Sequence, residues 1–297
     1  MNLPSTFRKT RIAPTPSGFL HLGNVLSFAI TAALAKKTGA CILLRIDDLD
    51  RERIEPEFVQ DIFDTLHYLE IPWDEGPRNY DEYEKEYSQL RRMDLYDRAL
   101  ETLRATGQVF ACECSRSEIA RLRADGAYPG TCEHKNIPLD KKDLSWRLRT
   151  GAAPLPPSMK DFVIRKRDGF PSYQLISVVD DHYFGIDLVV RGKDLWPSTQ
   201  AQRYLAQLLP GNRFGEAHFE HHVLLLDTTE QKLSKSAGAQ SVQFLRKEGK
   251  KPGEIYSLIA AMLGVQGGVR NFTELAEAAG YFILLLSFCT IAGNALP

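Results

Sequence analysis

The sequence predicts an α/β fold: a doubly wound parallel sheet interrupted by a cysteine-rich insertion and followed by a short helical region. Three observations carry that prediction. Residues 8–13 read as a short strand, 22–37 as a helix and "ACILLRID" (40–47) as a buried strand, so the chain opens with a strand–helix–strand unit. Parallel neighbours need such a crossover, which is nearly always right-handed. A sheet-like pattern resumes in "DFVIRKRDGFPSYQLISVVDDHYFGIDLVVRGKDL", from Asp161 onward. Between the two, 110–160 is rich in Cys, Gly and Pro, and "GAAPLPPS" reads as loop, which marks an insertion.

The first turn carries Pro14, Pro16, Gly18, His21 and Gly23 immediately ahead of a helix. A glycine there lets backbone approach a ligand closely, and the helix start offers unpaired N–H groups suited to phosphate. On its own, the same pattern is ordinary punctuation before a helix. The segment 54–70 spaces Ile54, Phe58, Ile62, Leu66 and Leu69 at helical intervals, and 82–106 reads as a second amphipathic helix. Arg167-Asp168-Gly169 sits between two apolar runs as a hairpin turn would. From 197 the chain is helical, passes through "HHVLLLDTTEQKLSKS" and ends in further helices. The expected division is a core half over 1–109, the insertion over 110–160, a second core half over 161–240 and a helical region over 241–297.

The 297 residues fit two domains, or one core bearing an insertion. Charged residues at 25% and apolar residues at 43% argue against disordered, collagen-like and fibrous classes. With 37 basic against 38 acidic residues, any nucleic-acid surface must be a local patch. Candidates are Arg165-Lys166-Arg167 and the group Arg246, Lys247, Lys250, Lys251. "MNLPSTFRKTR" lacks the apolar core of a signal peptide, so a cytoplasmic address is expected. From Ala278 to Pro297 there is no charge, but Gly280, Ser287, Thr290, Gly293 and Asn294 interrupt the apolar run. It reads as a buried or poorly matched terminal helix, with a membrane anchor as the lesser alternative, and no membrane partner is expected.

Of five cysteines, three crowd between 112 and 132, a pattern that suits a metal better than a disulfide framework. Spacing alone gives Cys112-x-Cys114 with Cys132-x-His134, which makes His134 the generic fourth ligand of a tetrahedral zinc. Cys41 and Cys289 sit in apolar surroundings and read as inert. Far along the chain, "KLSKS" (232–236) sets Lys232 and Lys235 on one loop. Two ammonium groups there suit neutralisation of a pyrophosphate leaving group, although such a loop alone is more often a solvated surface.

Together, "HLGN" and "KLSKS", in that order in an α/β chain, resemble the paired signatures of class I aminoacyl-tRNA synthetases. "RIAPTPSGFLHLGN", "LLRIDDLDRER" and "DFVIRKRDGFPSYQLISVVDDHYFGIDLVVRGKDLWPSTQAQ" narrow the resemblance to the glutamyl branch, over residues 11 to 236. The resemblance implies a Rossmann-like, HUP-type catalytic core. It sets L-glutamate against Arg11, Ala13, Thr15, Asp47, Tyr173 and Arg191, and ATP against His21, Gly23, Asn24 and Lys235, with His21, Lys232 and Lys235 catalytic. A guanidinium suits bidentate recognition of a carboxylate and an acidic group suits an ammonium. Asp47 stands where the family usually has Glu. Asp47, Asp48 and Asp50 also fit a bland role as caps of the helix at 54–70. Asp180-Asp181-His182 mimics a metal site, but the resemblance makes it a structural strand end.

The stretch after "KLSKS" is shorter than a typical domain of about 100–200 residues. The chain is therefore similar to the short, glutamyl-queuosine branch, which lacks an anticodon-reading domain. That branch shows Cys-x-Cys…Tyr-x-x-x-Cys, matched here by Cys112, Cys114, Tyr128 and Cys132, which favours Tyr128 over His134 as fourth ligand of one structural zinc. The implied activity uses ATP with Mg2+ to form glutamyl-adenylate and transfers glutamate to queuosine in tRNA(Asp). A truncated glutamyl-tRNA synthetase and a non-catalytic RNA-binding paralogue are the alternatives.

Overall fold

The computed structural model describes residues 6–225 and 241–281. In order it forms β1 (Lys9–Ile12), α1 (Leu22–Thr38), β2 (Cys41–Leu44), α2 (Pro56–Tyr68), the single turn α3 (Tyr80–Glu82), α4 (Met93–Ala105) and β3 (Val109–Cys112). There follow α5 (Arg116–Leu122), β4 (Ser145–Leu148), β5 (Val163–Arg165), α6 (Tyr173–Tyr183), β6 (Leu188–Gly192) and α7 (Trp196–Gln207). The last elements are β7 (His218–His222), α8 (Val242–Lys247), α9 (Pro252–Met262) and α10 (Phe272–Ala278).

The chain divides into two compact units. The first comprises Met1–Gln89, Leu188–Gly192 and Phe219–Pro297. Its sheet has the order β2-β1-β6-β7, with β1 parallel to both β2 and β6, so the parallel α/β core expected from the opening unit is present. Lys9 pairs with Cys41 and Ile12 with Leu44, while Thr10 pairs with Leu188. Pairing continues past the strands: the Arg45 N–H donates to the Ile12 carbonyl and the Asp47 N–H to the Pro14 carbonyl, both at 2.9 Å. The carboxyl edge of β1 and β2 is thereby extended by three residues, where ligands of open α/β sheets usually bind.

Helix α1 is the crossover. It is buried on nearly every side, from Leu22 and Val25 through Leu34 to Thr38, and it packs against β1, α9 and α10. Gly39 ends it in the left-handed region at φ 76°, donating to the Ala35 carbonyl, with Lys36 and Lys37 favourably placed in the last turn. Pro56 opens α2 and Pro252 opens α9, where a missing N–H costs nothing. Neither Asp47, Asp48 nor Asp50 caps α2; its N-cap is Glu55, which makes no side-chain cap.

The second unit comprises Leu90–Asp187 and Lys193–His218. It holds an antiparallel sheet, β3-β4-β5, in which Val109 pairs with Leu148 and Cys112 with Ser145. The region read as a Cys-, Gly- and Pro-rich insertion thus contains two strands and α5, and "GAAPLPPS" is mostly irregular as expected. The helix expected over 82–106 is broken: after α3 come a π-helical turn, Tyr83–Tyr87, and a 3₁₀ turn, Gln89–Arg92, before α4. The hairpin reading of 167–169 holds only for one bridge, Arg165 to Pro171. The apolar run after it is α6, not a strand, so Asp180-Asp181-His182 closes a helix. Its role is structural as expected: buried Asp180 accepts from Arg92 Nε and Nη2 at 3.1 and 3.0 Å and from the Tyr96 hydroxyl at 2.7 Å. No helix among the described residues is long and apolar enough to cross a membrane. "KLSKS" and the apolar tail beyond Tyr281 lie outside the described residues.

Candidate active site

His21 is the N-cap of α1. Its Nδ1 accepts from the Gly23 N–H at 3.1 Å, and its own N–H donates to Asn24 Oδ1 at 3.0 Å, a reciprocal capping arrangement. With Nδ1 accepting, the neutral ring carries its proton on Nε2. The turn is also stitched to later chain. His21 bridges Ser241, and the Val242 N–H donates to the Leu20 carbonyl at 2.8 Å. The Leu20 N–H donates to Asp61 Oδ2 at 3.1 Å, and Arg246 on α8 reaches Asp61 Oδ1 at 3.2 Å. Burial pushes the Asp61 carboxyl up, while the Leu20 N–H and the Arg246 charge oppose it.

Arg11 and Arg191 are both buried, on the parallel strands β1 and β6. Arg11 Nη1 donates to the Val190 carbonyl at 3.3 Å, which brings its guanidinium beside the residue preceding Arg191. The Arg191 guanidinium lies 5.5 Å from the centre of the Phe219 ring, and Phe219 stacks on His221. Burial, then the Arg191 and His222 charges, lower the His221 pKa from 6.5 to about 4. Ala13 and Thr15 are half-buried on the continuation of β1. Two guanidinium groups over one sheet edge suit an anionic, dicarboxylate substrate.

Asp47 lies on the extension of β2 and is 8% exposed. Arg45 donates to both its oxygens, Nε to Oδ1 at 2.7 Å and Nη2 to Oδ2 at 3.1 Å. Its neighbour Asp48, fully buried, is the larger hub. Asp48 Oδ2 accepts from the Tyr83 hydroxyl at 2.7 Å, from Ser88 Oγ at 2.5 Å and from Arg51 Nη1 at 3.2 Å. Gln89 donates from its backbone to Asp48 Oδ1 at 2.9 Å and from Nε2 to Asp47 Oδ1 at 3.2 Å. Burial and the Asp48 charge push the Tyr83 phenol well above its ordinary range, keeping it a donor. Sequence reasoning missed Arg45, Tyr83, Ser88 and Gln89. The one available signal was the acidic doublet in "RIDD", two carboxylates in a buried strand that need partners.

Tyr173 belongs to the second unit, where it is the first residue of α6 and 40% exposed. The metal candidates are also there. The Sγ atoms of Cys112, Cys114 and Cys132 lie within 4.8 Å of one another. The Tyr128 hydroxyl is 3.6 Å from Cys112 Sγ and accepts the Cys132 N–H at 2.8 Å. His134 is 89% exposed and its Nε2 lies 3.9 Å from Glu133, so the generic spacing choice is turned to solvent and Tyr128 faces the thiols. β3 delivers Cys112, and Ser115 with Glu118 caps α5 directly after Cys114. Burial raises the Cys112 thiol, but the Cys114 N–H, the Tyr128 hydroxyl and Arg147 outweigh it and lower it overall. Burial and the neighbouring sulfurs push Cys114 to about 12. Three thiols and a phenol at this separation fit a small soft cation that relieves the crowding of charge.

Residues 8–153 and 149–288 match the family described as tRNA synthetases class I (E and Q), catalytic domain. The chain is 37% identical over 257 residues to a glutamyl-Q tRNA(Asp) synthetase of Parasynechococcus marenigrum (strain WH8102), covering 86% of this chain and 82% of that protein. It is 31% identical over 306 residues to glutamate–tRNA ligase 2 of Syntrophus aciditrophicus (strain SB), covering 94% of this chain but 62% of the ligase. Among solved structures, the glutamate-tRNA synthetase of Elizabethkingia anophelis shares the fold with a TM-score of 0.70 at 24% identity, over 91% of this chain and 65% of that one. The chain thus spans less than two thirds of the length of these last two proteins.

Proposed function

The chain belongs to the class I tRNA synthetase (E and Q) catalytic-domain family, and from that premise we propose that it activates L-glutamate with ATP and transfers it to queuosine in the anticodon loop of tRNA(Asp). The observation carrying this reading is the similarity to a glutamyl-Q tRNA(Asp) synthetase over 82% of that protein's length. In the reaction, an oxygen of the glutamate α-carboxylate attacks the α-phosphorus of ATP, supplied as its magnesium complex, and pyrophosphate leaves. A queuosine hydroxyl then attacks the carbonyl of the mixed anhydride, loses its proton and releases AMP. Arg11 and Arg191 bind the side-chain carboxylate with Ala13 and Thr15, Asp47 takes the α-ammonium, and Tyr173 orients the substrate. His21, through Nε2–H, and Lys235 stabilise charge on the phosphates, Gly23 and Asn24 shape the ATP-facing turn, and Lys232 holds the loop. Positioning and charge neutralisation then do the chemistry, without a side-chain nucleophile.

We assign one structural zinc to Cys112, Cys114, Tyr128 and Cys132; when bound, it cross-links the end of β3, the start of α5 and the turn before Cys132. In the same reading, 110–160 is the zinc-bearing insertion between core halves 1–109 and 161–240, followed by the helical region 241–297. The 31% identity to a glutamate–tRNA ligase over 94% of this chain favours, as second reading, charging of the tRNA 3′ end. One experiment separates the two. Radiolabelled glutamate and ATP are supplied with tRNA(Asp) bearing either queuosine or guanosine, and with tRNA(Glu). Label that maps, after nuclease digestion at mildly acid pH where the new ester survives, to the anticodon loop of queuosine-bearing tRNA alone is expected. Equal labelling of both forms of tRNA(Asp), or label at a 3′ end, would overturn the first reading.

A further inference from the structure

We infer that Gln89 is a positioning residue for amino-acid recognition: its side-chain amide fixes the Asp47 carboxylate in the orientation that meets the substrate α-ammonium. This rests on the adenylation reading above. Gln89 is fully buried. It and Asp48 exchange two hydrogen bonds, Gln89 N–H to Asp48 Oδ1 at 2.9 Å and Asp48 N–H to Gln89 Oε1 at 2.8 Å. With Oε1 committed to the Asp48 N–H, the amide has one remaining way to turn, and Nε2 donates to Asp47 Oδ1 at 3.2 Å. Arg45 neutralises Asp47 from two residues away on the same strand extension, so it travels with that segment. Gln89 arrives from elsewhere, 42 positions along, and it ties the carboxylate to a separate element.

The delivery depends on the π-helical turn at Tyr83–Tyr87. That turn aims the Tyr83 hydroxyl and Ser88 Oγ at the same Asp48 oxygen, which locks Gln89 beside Asp47. An unbroken α-helix advances about 100° per residue and would carry Ser88 and Gln89 off this face. Single π turns inside helices recur at functional sites for this reason. The N–H, Oε1 and Nε2 of a fully buried glutamine thus all reach two adjacent carboxylate residues, one of which faces the substrate in the proposed site.

The test measures glutamate and ATP KM in glutamate-dependent ATP–pyrophosphate exchange, with the full chain and tRNA present, at about pH 6 and about pH 8. Gln89→Met keeps the length and removes the donor; glutamate KM is expected to rise about tenfold with ATP KM and kcat nearly unchanged. Gln89→Glu keeps the acceptor for the Asp48 N–H but sets a second carboxyl oxygen against Asp47. A proton shared by the two carboxyls restores the bond at the lower pH and is lost at the higher. Among the described residues, the charged or titratable groups facing this cluster include Arg45, Asp48, Arg51 and Tyr83. The arginines stay charged and Tyr83 stays protonated, so the shared proton is the one that moves. Glutamate KM of Gln89→Glu therefore rises with pH while that of the unaltered protein stays flat. Unchanged glutamate KM in both variants, or glutamate and ATP KM rising by equal factors, would overturn the positioning role alone. No exchange by the unaltered protein would overturn the adenylation reading, and this inference with it.

Discussion

Position 23 lacks a side chain because His21 occupies the space one would need. A Cβ there would lie 3.0 Å from His21 Cε1 and 3.1 Å from Nδ1, so Gly23→Ala makes the ring give by a few tenths of an ångström and strains its cap. The expected result is a loss of about 1 kcal/mol in urea unfolding and a raised ATP KM at unaltered glutamate KM. His21→Asn, which caps equally well, is expected to keep the stability and lose the exchange rate. His221 gives a second prediction at this scale. Its folded pKa of about 4 lies below its ordinary 6.5, so the unfolded chain binds the extra proton between these values. Stability from this group is complete above 6.5 and is lost as pH falls toward 4. The urea midpoint is expected to fall from pH 7 to pH 5 by less in His221→Gln than in the unaltered protein. The residues legible in the sequence are those carried by motif: His21 and Arg11 stand in recognisable strings. Asp48 and Gln89 are not, because their partnership spans 41 positions and leaves no local periodicity.

At the scale of elements, the readings 22–37 and 54–70 located α1 and α2 within two residues of their ends, while α6 and the segment 83–92 were misread. α6 carries Ile176, Val178 and Val179, whose β-branched side chains favour strands. Packing against α4, through Arg92, Tyr96 and Asp180, outweighs that preference. The break at 83–92 serves Asp48, a tertiary demand that helical periodicity does not record. The cysteine cluster was legible by spacing, which alone pointed to His134; the resemblance favoured Tyr128, and Tyr128 is the one that lies beside the thiols. Elemental analysis should find about one zinc per chain, lost in Cys112→Ser and Cys132→Ser and kept in His134→Ala. Retention of metal by the serine variants would refute the cluster. Arg246→Met leaves Asp61, whose side chain is 2% exposed, without its cation. A loss of about 1–3 kcal/mol by chemical denaturation is expected, with Asp61→Asn combined with Arg246→Met recovering part of it.

On the scale of the whole molecule, two compact units are woven from five stretches of one chain. The second unit opens at Leu90, and α4 packs there against α6. Hydrogen exchange followed by mass spectrometry checks this division. A chelator is expected to raise exchange over β3, α5 and the turn before Cys132, and to leave α1 and β2 unaltered; uniform loss of protection would contradict it. The first unit also has a schedule. Arg246 meets Asp61 across 185 residues, and Leu20 pairs with both Val242 and Asp61. At ribosomal speeds of about 5–20 residues per second, the opening turn meets Asp61 early but spends about 10–40 s without Val242. All of the second unit's sequence emerges in that interval. The nascent first unit is then interrupted, the Leu20–His21 turn still without its late partner. A holding chaperone, or a pause in translation, would find its substrate there.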